Sequence, residues 1–241
     1  MDPLIAVEES HVDLLHEIGV RLGTADGFHD VLSRVVEFAS ALVKCDSCLV
    51  YVLEGEELVL RASKNPHPDV VDRLKLRVGQ GITGWVAEHG EPVAVAGKAR
   101  EDPRFQFFEE LPEDNFEALL SVPLMCRGRV MGVINLQHRA AHVYNRRQIQ
   151  LISMIGFMVG AEIEMARLEE ANSSLTEQLQ TRKLVERAKG ILQRDFGLTE
   201  EQAYLALQRQ SRQKRKAMKE IAEAIVLSDE VKGNFRDPEP S

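Results

Sequence analysis

The spacing of apolar residues predicts two helices at the start of the chain and strands after them. Apolar residues recur every three or four positions over 12–22 and again over 28–43, which is the period of a helix with one buried face. The period then changes. Segments 48–53 and 57–61 are rich in aliphatic residues and are joined by a Glu-Gly-Glu turn, so they predict two paired strands.

Further strands follow a short helix in the middle of the chain. Gly90 and Pro92 are expected to end that helix, and Gly128 is expected to form the turn of a strong hairpin. Helices on a face of a mainly antiparallel sheet make the predicted fold class α+β. The elements predicted here are a helix at 82–88, a strand at 93–96 and a hairpin formed by 119–126 and 129–137.

From residue 145 the pattern predicts one long helix with a regular apolar stripe, which we call the heptad seam. Its residues alternate by three and four positions over about 42 Å of helix, which favours a coiled coil. Asn172 lies on the seam, and a buried Asn fixes register because only aligned chains can pair the two amides; this favours a parallel homodimer. The alternative is a single amphipathic helix that packs on its own domain. The heptad seam consists of Leu151, Met154, Met158, Ala161, Met165, Leu168, Asn172, Leu175 and Leu179.

The end of the pattern predicts a small bundle of three helices with a basic rim. Gly197 is expected to end the first helix. Thr199 and Gln202 form a capping-box pattern that begins the second. A basic connector at 212–216 leads to the third helix, predicted at 217–227.

The charge distribution changes the picture, because it separates this bundle from the rest of the chain. Between Gln180 and Lys219 there are 11 Lys or Arg and 4 Asp or Glu, a balance of +7, while the whole chain carries −8. The remainder therefore sums to −15. A basic segment on an acidic body indicates a polyanionic partner, and phosphate backbones are the commonest. The alternative is a solvated helix face.

Length and composition predict one or two folded domains in a reducing compartment. The chain has 241 residues, 44% of them hydrophobic, so it can bury a core. Its three cysteines do not make a disulfide framework. No uninterrupted apolar stretch is long enough for a membrane span, and the acidic start does not resemble a signal peptide. We therefore expect a cytoplasmic protein without a membrane partner.

No pattern for catalysis or metal binding is found. The chain has no P-loop, nucleophile elbow or zinc-protease motif, so we predict that it is not an enzyme. The Cys45-x-x-Cys48 pair could be a redox or metal motif, but four metal ligands are not available around it, and buried apolar thiols are favoured. No metal and no cofactor are predicted.

The basic segment resembles a known family. The matching positions are Arg182, Ala188-Lys189-Gly190-Ile191-Leu192, Thr199, Ala203-Tyr204, Ser211 and Ile221-Ala222, and together they resemble the ANTAR domain. Members of that family are transcription antiterminators that bind RNA, and the resemblance implies a target of paired hairpins. Ala188 and Gly190 are expected to be small for close helix packing, although Ala188 alone could equally be an ordinary helix residue. Tyr204 could stack on a base, but a core position is favoured.

The resemblance places RNA contacts on the basic side chains of the bundle. Proteins that recognise RNA sequence mostly read splayed bases in hairpin loops. A homodimer joined by the coiled coil would present two bundles, one for each hairpin, and Lys189→Ala is predicted to weaken binding. The predicted RNA-binding residues are Arg182, Lys183, Arg187, Lys189, Arg194, Arg212, Lys214, Arg215 and Lys216.

The front of the chain resembles a second family. Residues 79–86 (GQGITGWV), 121–124 (SVPL) and 132–136 (GVINL) resemble the GAF domain. This implies a sensor for a small molecule or a redox signal. Gly79 to Gly84 also reads G-x-G-x-x-G, but the helix after it is too short for a dinucleotide fold. Gly97-Lys98, Phe105 and Glu109-Glu110 match the cyclic-nucleotide signature only in part, so no ligand is named.

Together these patterns predict a signal-responsive RNA-binding antitermination regulator. The alternative is a DNA-binding regulator with a ligand-sensing domain, because three short helices with a basic rim can also form a helix-turn-helix. The predicted domains are a GAF-like sensor at 1–150, a coiled-coil helix at 151–180, an ANTAR domain at 181–232 and a flexible tail at 233–241.

Overall fold

The computed structural model describes residues 28–65, 69–106 and 115–234. They form two compact units that divide after Arg167, inside one long helix. The helix predicted at 12–22 lies outside the described residues, as does the chain beyond 234.

The first unit is built on a six-stranded antiparallel sheet, and the predicted α+β class is confirmed. The strand order is β3-β2-β1-β6-β5-β4, so the two predicted hairpins lie side by side and β1 pairs with β6 at the centre. The sequence pattern missed β3, because three residues are too few to show a period. The strands are β1 (Ser47–Glu54), β2 (Glu57–Ser63), β3 (Lys75–Arg77), β4 (Val93–Val95), β5 (Ala118–Cys126) and β6 (Arg129–His138).

Two helices cover one face of this sheet. Helix α1 (Phe28–Val43) and the first part of α3 (Arg146–Phe196) contribute their apolar stripes to the same core as alternate residues of β1, β5 and β6. On α3 the buried stripe is spaced by three and four residues, as a helix on a flat surface requires. It consists of Ile152, Ile155, Val159 and Ile163.

Two glycines let α3 lie directly on β5. A Cβ on Gly156 would be 2.6 Å from the carbonyl oxygen of Pro123, and one on Gly160 would be 2.3 Å from that of Met125. Real Cβ atoms do not approach so closely, so any side chain at either position would push the helix away from the sheet. The two glycines and the buried stripe together fix which side of α3 faces the core.

The opposite face of the sheet carries α2 (Gly81–His89) and a separate core around Leu49, Tyr51 and Val86. The G-x-G-x-x-G glycines have local structural roles here. Gly79 and Gly81 adopt φ of 82° and 68°, and a Cβ on Gly84 would lie 2.5 Å from the carbonyl oxygen of Arg77. The glycines shape a tight turn into a helix of only nine residues.

The heptad seam lies largely on the solvent side of α3. Of its large apolar members, Met154, Met165, Leu168, Leu175 and Leu179 are 41–60% exposed. The helix therefore packs on its own sheet through the apolar stripe from Ile152 to Ile163. It also carries a second apolar stripe, the heptad seam, which the described residues leave uncovered. A stretch of α3 is also apolar and long enough to cross a membrane by length and composition alone, and a core helix passes the same test.

The second unit consists of the rest of α3 with α4 (Glu200–Lys214) and α5 (Met218–Asn234). These helices enclose a small core of Ala188, Leu207, Ala222 and Val226. Their ends follow the sequence signals. Gly197 is left-handed, and its N–H donates to the carbonyl oxygen of Gln193 over 2.9 Å. At the start of α4, both hydrogen bonds of the predicted capping box are present.

We expect Gly160→Ala to lower the free energy of unfolding of the first unit by about 1–3 kcal/mol, because the added methyl group overlaps the main chain of β5. Trp85, the only tryptophan of the chain, lies in this unit and reports its unfolding by fluorescence during a urea titration.

Gly190→Ala is the matched control, because it makes the same change on the same helix where a Cβ meets nothing within 4 Å. It should leave the Trp85 transition unchanged. Equal midpoints for Gly160→Ala and the wild type would contradict the packing of α3 on β5.

Candidate nucleic-acid interface and sensor cavity

All nine predicted RNA-binding residues lie in the second unit. Arg182, Lys183, Arg187, Lys189 and Arg194 lie on the last turns of α3, and the other four lie at the end of α4 or just after it. The predicted connector at 212–216 is shorter than expected, because α4 continues to Lys214. Arg215 caps the C-terminal end of α4 with a left-handed φ of 53°.

Eight of the nine side chains are exposed, and they differ in how their charge is balanced. Lys216 lies 3.5 Å from a carboxylate oxygen of Glu220. Arg209, exposed on α4 one turn before Arg212, adds a cation that the predicted set does not include, although the charge count of the segment does. Within the part of the chain that the structure describes, no carboxylate lies within salt-bridge distance of Arg182, Lys183, Arg212, Lys214 or Arg215.

Lys189 is the exception, and the structure gives it a structural role. The residue is only 7% exposed, and its Nζ donates to Glu186 over 2.9 Å and to Glu200 over 2.8 Å. The hydrogen bonds to Glu200 and then Glu186 raise the pKa of Lys189, and the same contact lowers the pKa of Glu200. Lys189 thus ties α3 to the start of α4, and the predicted direct contact with RNA does not fit this geometry.

Arg187 and Arg194 are exposed but are bound to α5. The guanidinium of Arg187 lies 2.9 Å from Glu230, and that of Arg194 pairs with Asp195 at 2.8 Å and with Asp229. These carboxylates, Asp195 first, raise the pKa of Arg194 above its usual range. Both side chains remain more than half exposed, so a phosphate can reach them in competition with the carboxylates.

Two other expectations for the bundle are corrected. Tyr204 is 43% exposed rather than part of the core, because its neighbours Ala203 and Leu207 occupy the buried positions of α4. An aromatic ring is therefore available for stacking on a base. Ala188 is buried as expected, but Gly190 is exposed, and the described residues leave open space around it. Close packing within this part of the chain therefore does not explain that glycine.

The first unit contains a small cavity between the sheet and α2. Its free volume is about 30 Å³, roughly the space of one water molecule. Buried Asn135 donates from Nδ2 to the hydroxyl of Thr83 over 2.7 Å. Within the described residues, the Oδ1 atom of Asn135 has no hydrogen-bond partner. The lining mixes apolar side chains such as Leu49 and Leu119 with the polar side chains of Asn135 and Gln137, and a free volume of about 30 Å³ does not accommodate a nucleotide. Glu109 and Glu110 of the partial cyclic-nucleotide signature lie outside the described residues.

The cysteines of the first unit are free thiols, and Cys45 and Cys48 are both buried. Burial raises the pKa of both thiols, which keeps them protonated at neutral pH. They pack in the core between α1 and the sheet, as small apolar side chains do. Among the residues that the structure describes, no group of three or more His, Cys, Asp or Glu side chains is arranged to hold a metal ion.

Comparison with protein families settles what the two units are. The model of the GAF domain matches residues 27–163, more than half of the chain, and that of the ANTAR domain matches 173–226. The chain belongs to the GAF-domain family. An ANTAR domain follows its GAF domain, in the order that the sequence predicted.

Individual relatives match part of this chain. The transcriptional regulatory protein PdtaR of Mycobacterium tuberculosis is 43% identical over 76 residues, which are 32% of this chain and 37% of that protein. The Nif-specific regulatory protein of Azospirillum lipoferum is 25% identical over 171 residues, covering 67% of this chain and 27% of that protein. The chain therefore spans well under half of the length of either relative.

Solved structures confirm the GAF fold. The GAF domain from a phosphoenolpyruvate-protein phosphotransferase of Coxiella burnetii superposes with a TM-score of 0.62 at 25% identity, covering 66% of this chain and 96% of that chain. A free methionine-R-sulfoxide reductase from Neisseria meningitidis shares the fold at 16% identity with a TM-score of 0.55, covering 65% of this chain and 89% of that chain. Since an enzyme shares the fold, the fold alone does not decide whether this GAF domain is catalytic.

We expect Lys189→Met, which keeps the aliphatic stem and removes the charge, to lower the thermal midpoint of the ANTAR unit at neutral pH. The lowered pKa of Glu200 means that the ion pair stabilises the fold above the ordinary pKa of a glutamate and that this stabilisation disappears as the pH falls through the folded value. The difference between the variant and the wild type should therefore shrink on acidification, which circular dichroism melts at several pH values measure.

Glu201→Gln, an exposed neighbour of Glu200 that also removes one charge, serves as the control and should show no such pH-dependent difference. If Lys189→Met instead left the midpoint unchanged and reduced nucleic-acid affinity, Lys189 would be a contact residue after all.

Proposed function

We propose that this protein is an RNA-binding regulator of transcription that acts by antitermination, binds paired RNA hairpins as a dimer and responds to a signal through its GAF domain. The ANTAR domain supports the RNA-binding regulator, as does the similarity to a transcriptional regulatory protein. The single observation that carries the proposal is the concentration of exposed, largely unpaired cations on this one small bundle.

The chemistry of the bundle suits a folded RNA better than a duplex. The unpaired cations of α4 and its end, with those of α3, supply phosphate contacts, and the exposed ring of Tyr204 supplies a surface on which a base can stack. Stacking requires a base that has left its helix, and hairpin loops provide such bases. The DNA-binding alternative predicts that duplex DNA competes equally well.

The heptad seam supports the dimer. Leu168, Leu175 and Leu179 are 57–60% exposed in the single chain, and a second copy of the helix would remove them from water. Asn172 is exposed on the same stripe, where it would pair with its copy across the coiled coil. Two bundles carried by one coiled coil match a target of two hairpins.

Signal transfer is proposed to act on the dimer. A signal that binds or modifies the GAF domain changes the population of dimer states, which requires that it interact differently with two of them. The bundles then engage the two hairpins and prevent a terminator stem from forming. The ligand is unidentified, and mass spectrometry of compounds retained by native protein is the direct way to find it.

We expect the triple variant Arg212→Gln, Lys214→Gln and Arg215→Gln to bind a two-hairpin RNA at least about tenfold more weakly at moderate salt, because fewer phosphates are neutralised and fewer counterions are released. Filter binding over a salt series gives the slope of the logarithm of the binding constant against the logarithm of the salt concentration. For the variant this slope should be smaller in magnitude by about 0.7–0.9 for each phosphate that it no longer neutralises. The probe is an RNA with two adjacent hairpins, whose loops are enriched from a randomised pool on the wild-type chain.

The matched control removes three exposed cations from the GAF unit, Arg73, Lys75 and Lys98, so that net charge changes equally. It should bind like the wild type. If both triple variants bound RNA equally weakly, the effect would be one of net charge and not of the end of α4. If the wild type preferred duplex DNA to hairpin RNA, the DNA-binding function would be favoured.

We expect Leu175→Asp to convert the dimer to monomers in sedimentation equilibrium, because a carboxylate in a coiled-coil seam is desolvated without a partner. The monomer should still bind a single hairpin but should lose the gain in affinity for a second hairpin on the same RNA.

Ser174→Asp introduces the same side chain next to the seam at an exposed position of α3 and should leave the dimer intact. A wild-type chain that sediments as a monomer at tens of micromolar, with or without RNA, would refute the dimer.

A further inference from the structure

Gly190 is a helix-interior glycine for which the described residues give no structural reason. It lies well within the 51-residue helix α3 and is exposed, and a Cβ built on it meets nothing within 4 Å. A glycine inside a helix is destabilising relative to alanine because its backbone loses more freedom on folding. Gly156 and Gly160 on the same helix offset that cost by letting β5 approach, but Gly190 has no such neighbour among the described residues.

The surroundings of Gly190 are cationic. Arg187 lies one turn before it and Arg194 one turn after it, so both belong to the same side of the helix. Their side chains are 54% and 60% exposed. The bare main chain at Gly190 is therefore flanked by two accessible guanidinium groups, each able to bind a phosphate through two parallel hydrogen bonds.

The heptad seam does not explain the glycine either. Continued beyond Leu179, its spacing falls on Arg182, Glu186, Lys189 and Gln193, all of them polar. The apolar stripe that a second copy would cover has therefore ended before Gly190 is reached. Gly190 itself lies beside this continuation and not on it, so close packing between two copies of α3 gives no reason for a missing side chain there.

We propose that Gly190 is the point at which the sugar–phosphate backbone of the bound RNA approaches α3 most closely. The absent side chain lets the RNA strand contact the main chain and Cα hydrogens, while Arg187 and Arg194 bind phosphates on either side. On binding, Arg187 exchanges Glu230 for phosphate oxygens, and Arg194 exchanges Asp195 and Asp229. This inference rests on the proposed RNA-binding function and adds the place where the strand lies.

The test compares full-length wild type, Gly190→Ala and Gly190→Gln for binding to the two-hairpin RNA enriched on the wild type. Because alanine favours the helix, the ANTAR unit of its variant should melt about 1–3 °C higher than that of the wild type, while the Trp85 transition of the first unit stays unchanged. Its affinity should nevertheless fall by about tenfold, since even one added carbon prevents close approach. Gly190→Gln should bind more weakly still, because its side chain is longer.

The matched control is Ala171→Ser, which adds one heavy atom at an exposed position of the same helix, away from the basic residues. It should bind RNA like the wild type. Unchanged affinity of Gly190→Ala and Gly190→Gln would overturn the inference while leaving the proposed function intact. A fall in affinity with a lower melting temperature would also overturn it, because the glycine would then be needed for folding. A wild type from which no RNA can be enriched would refute the proposed function itself.

Discussion

The contact between α3 and β5 determines what the rest of this helix can do. Gly156 and Gly160 bring the helix onto the carbonyl groups of Pro123 and Met125, and the stripe from Ile152 to Ile163 fills the core beside them. Because the buried face is fixed in this way, the part of the heptad seam beside the sheet turns mostly to solvent, with only Met158 packed against the core of the described residues. The proposed dimer depends on the continuation of this stripe through Leu168, Leu175 and Leu179, which are exposed on the second unit. Helix α3 continues without interruption into the ANTAR domain.

The alternation of β6 places the sensor cavity and α3 on opposite faces of one strand. Asn135 faces the cavity beside α2, while its neighbours Ile134 and Leu136 belong to the core that α3 covers. A ligand that satisfies the amide of Asn135 would act on the strand that supports the helix. This gives the proposed signal a short route through the main chain of β6, and it needs no contact between the GAF and ANTAR domains.

Charge alone overstates the nucleic-acid interface. Of the cations in the basic segment, Lys189 is used to join α3 to α4, and Arg187 and Arg194 are partly balanced by α5. Among the described residues, the cations Arg212, Lys214 and Arg215 at the end of α4 have no carboxylate within salt-bridge distance, which is why the proposed phosphate contacts are placed there first. Exposed Tyr204 and the open surface at Gly190 add what charge cannot supply, namely a stacking surface and room for a strand.

The sequence by itself determined the features that depend on near neighbours along the chain. Apolar residues that repeat every three to four positions located most helices, and those that alternate located most strands. Gly197 and the Thr199 capping box determined two helix ends. Local motifs identified both families. Only the tertiary structure decided which side chains are available. In the sequence Lys189 is one more cation, but in the structure it is paired with Glu200 of the next helix. Tyr204 is expected in the core, but Ala203 and Leu207 occupy the buried positions of α4. Gly190 is expected to allow close packing, but no described residue packs against it. Burial, ion pairing and open space depend on residues distant in sequence, and no local pattern encodes which of them will meet.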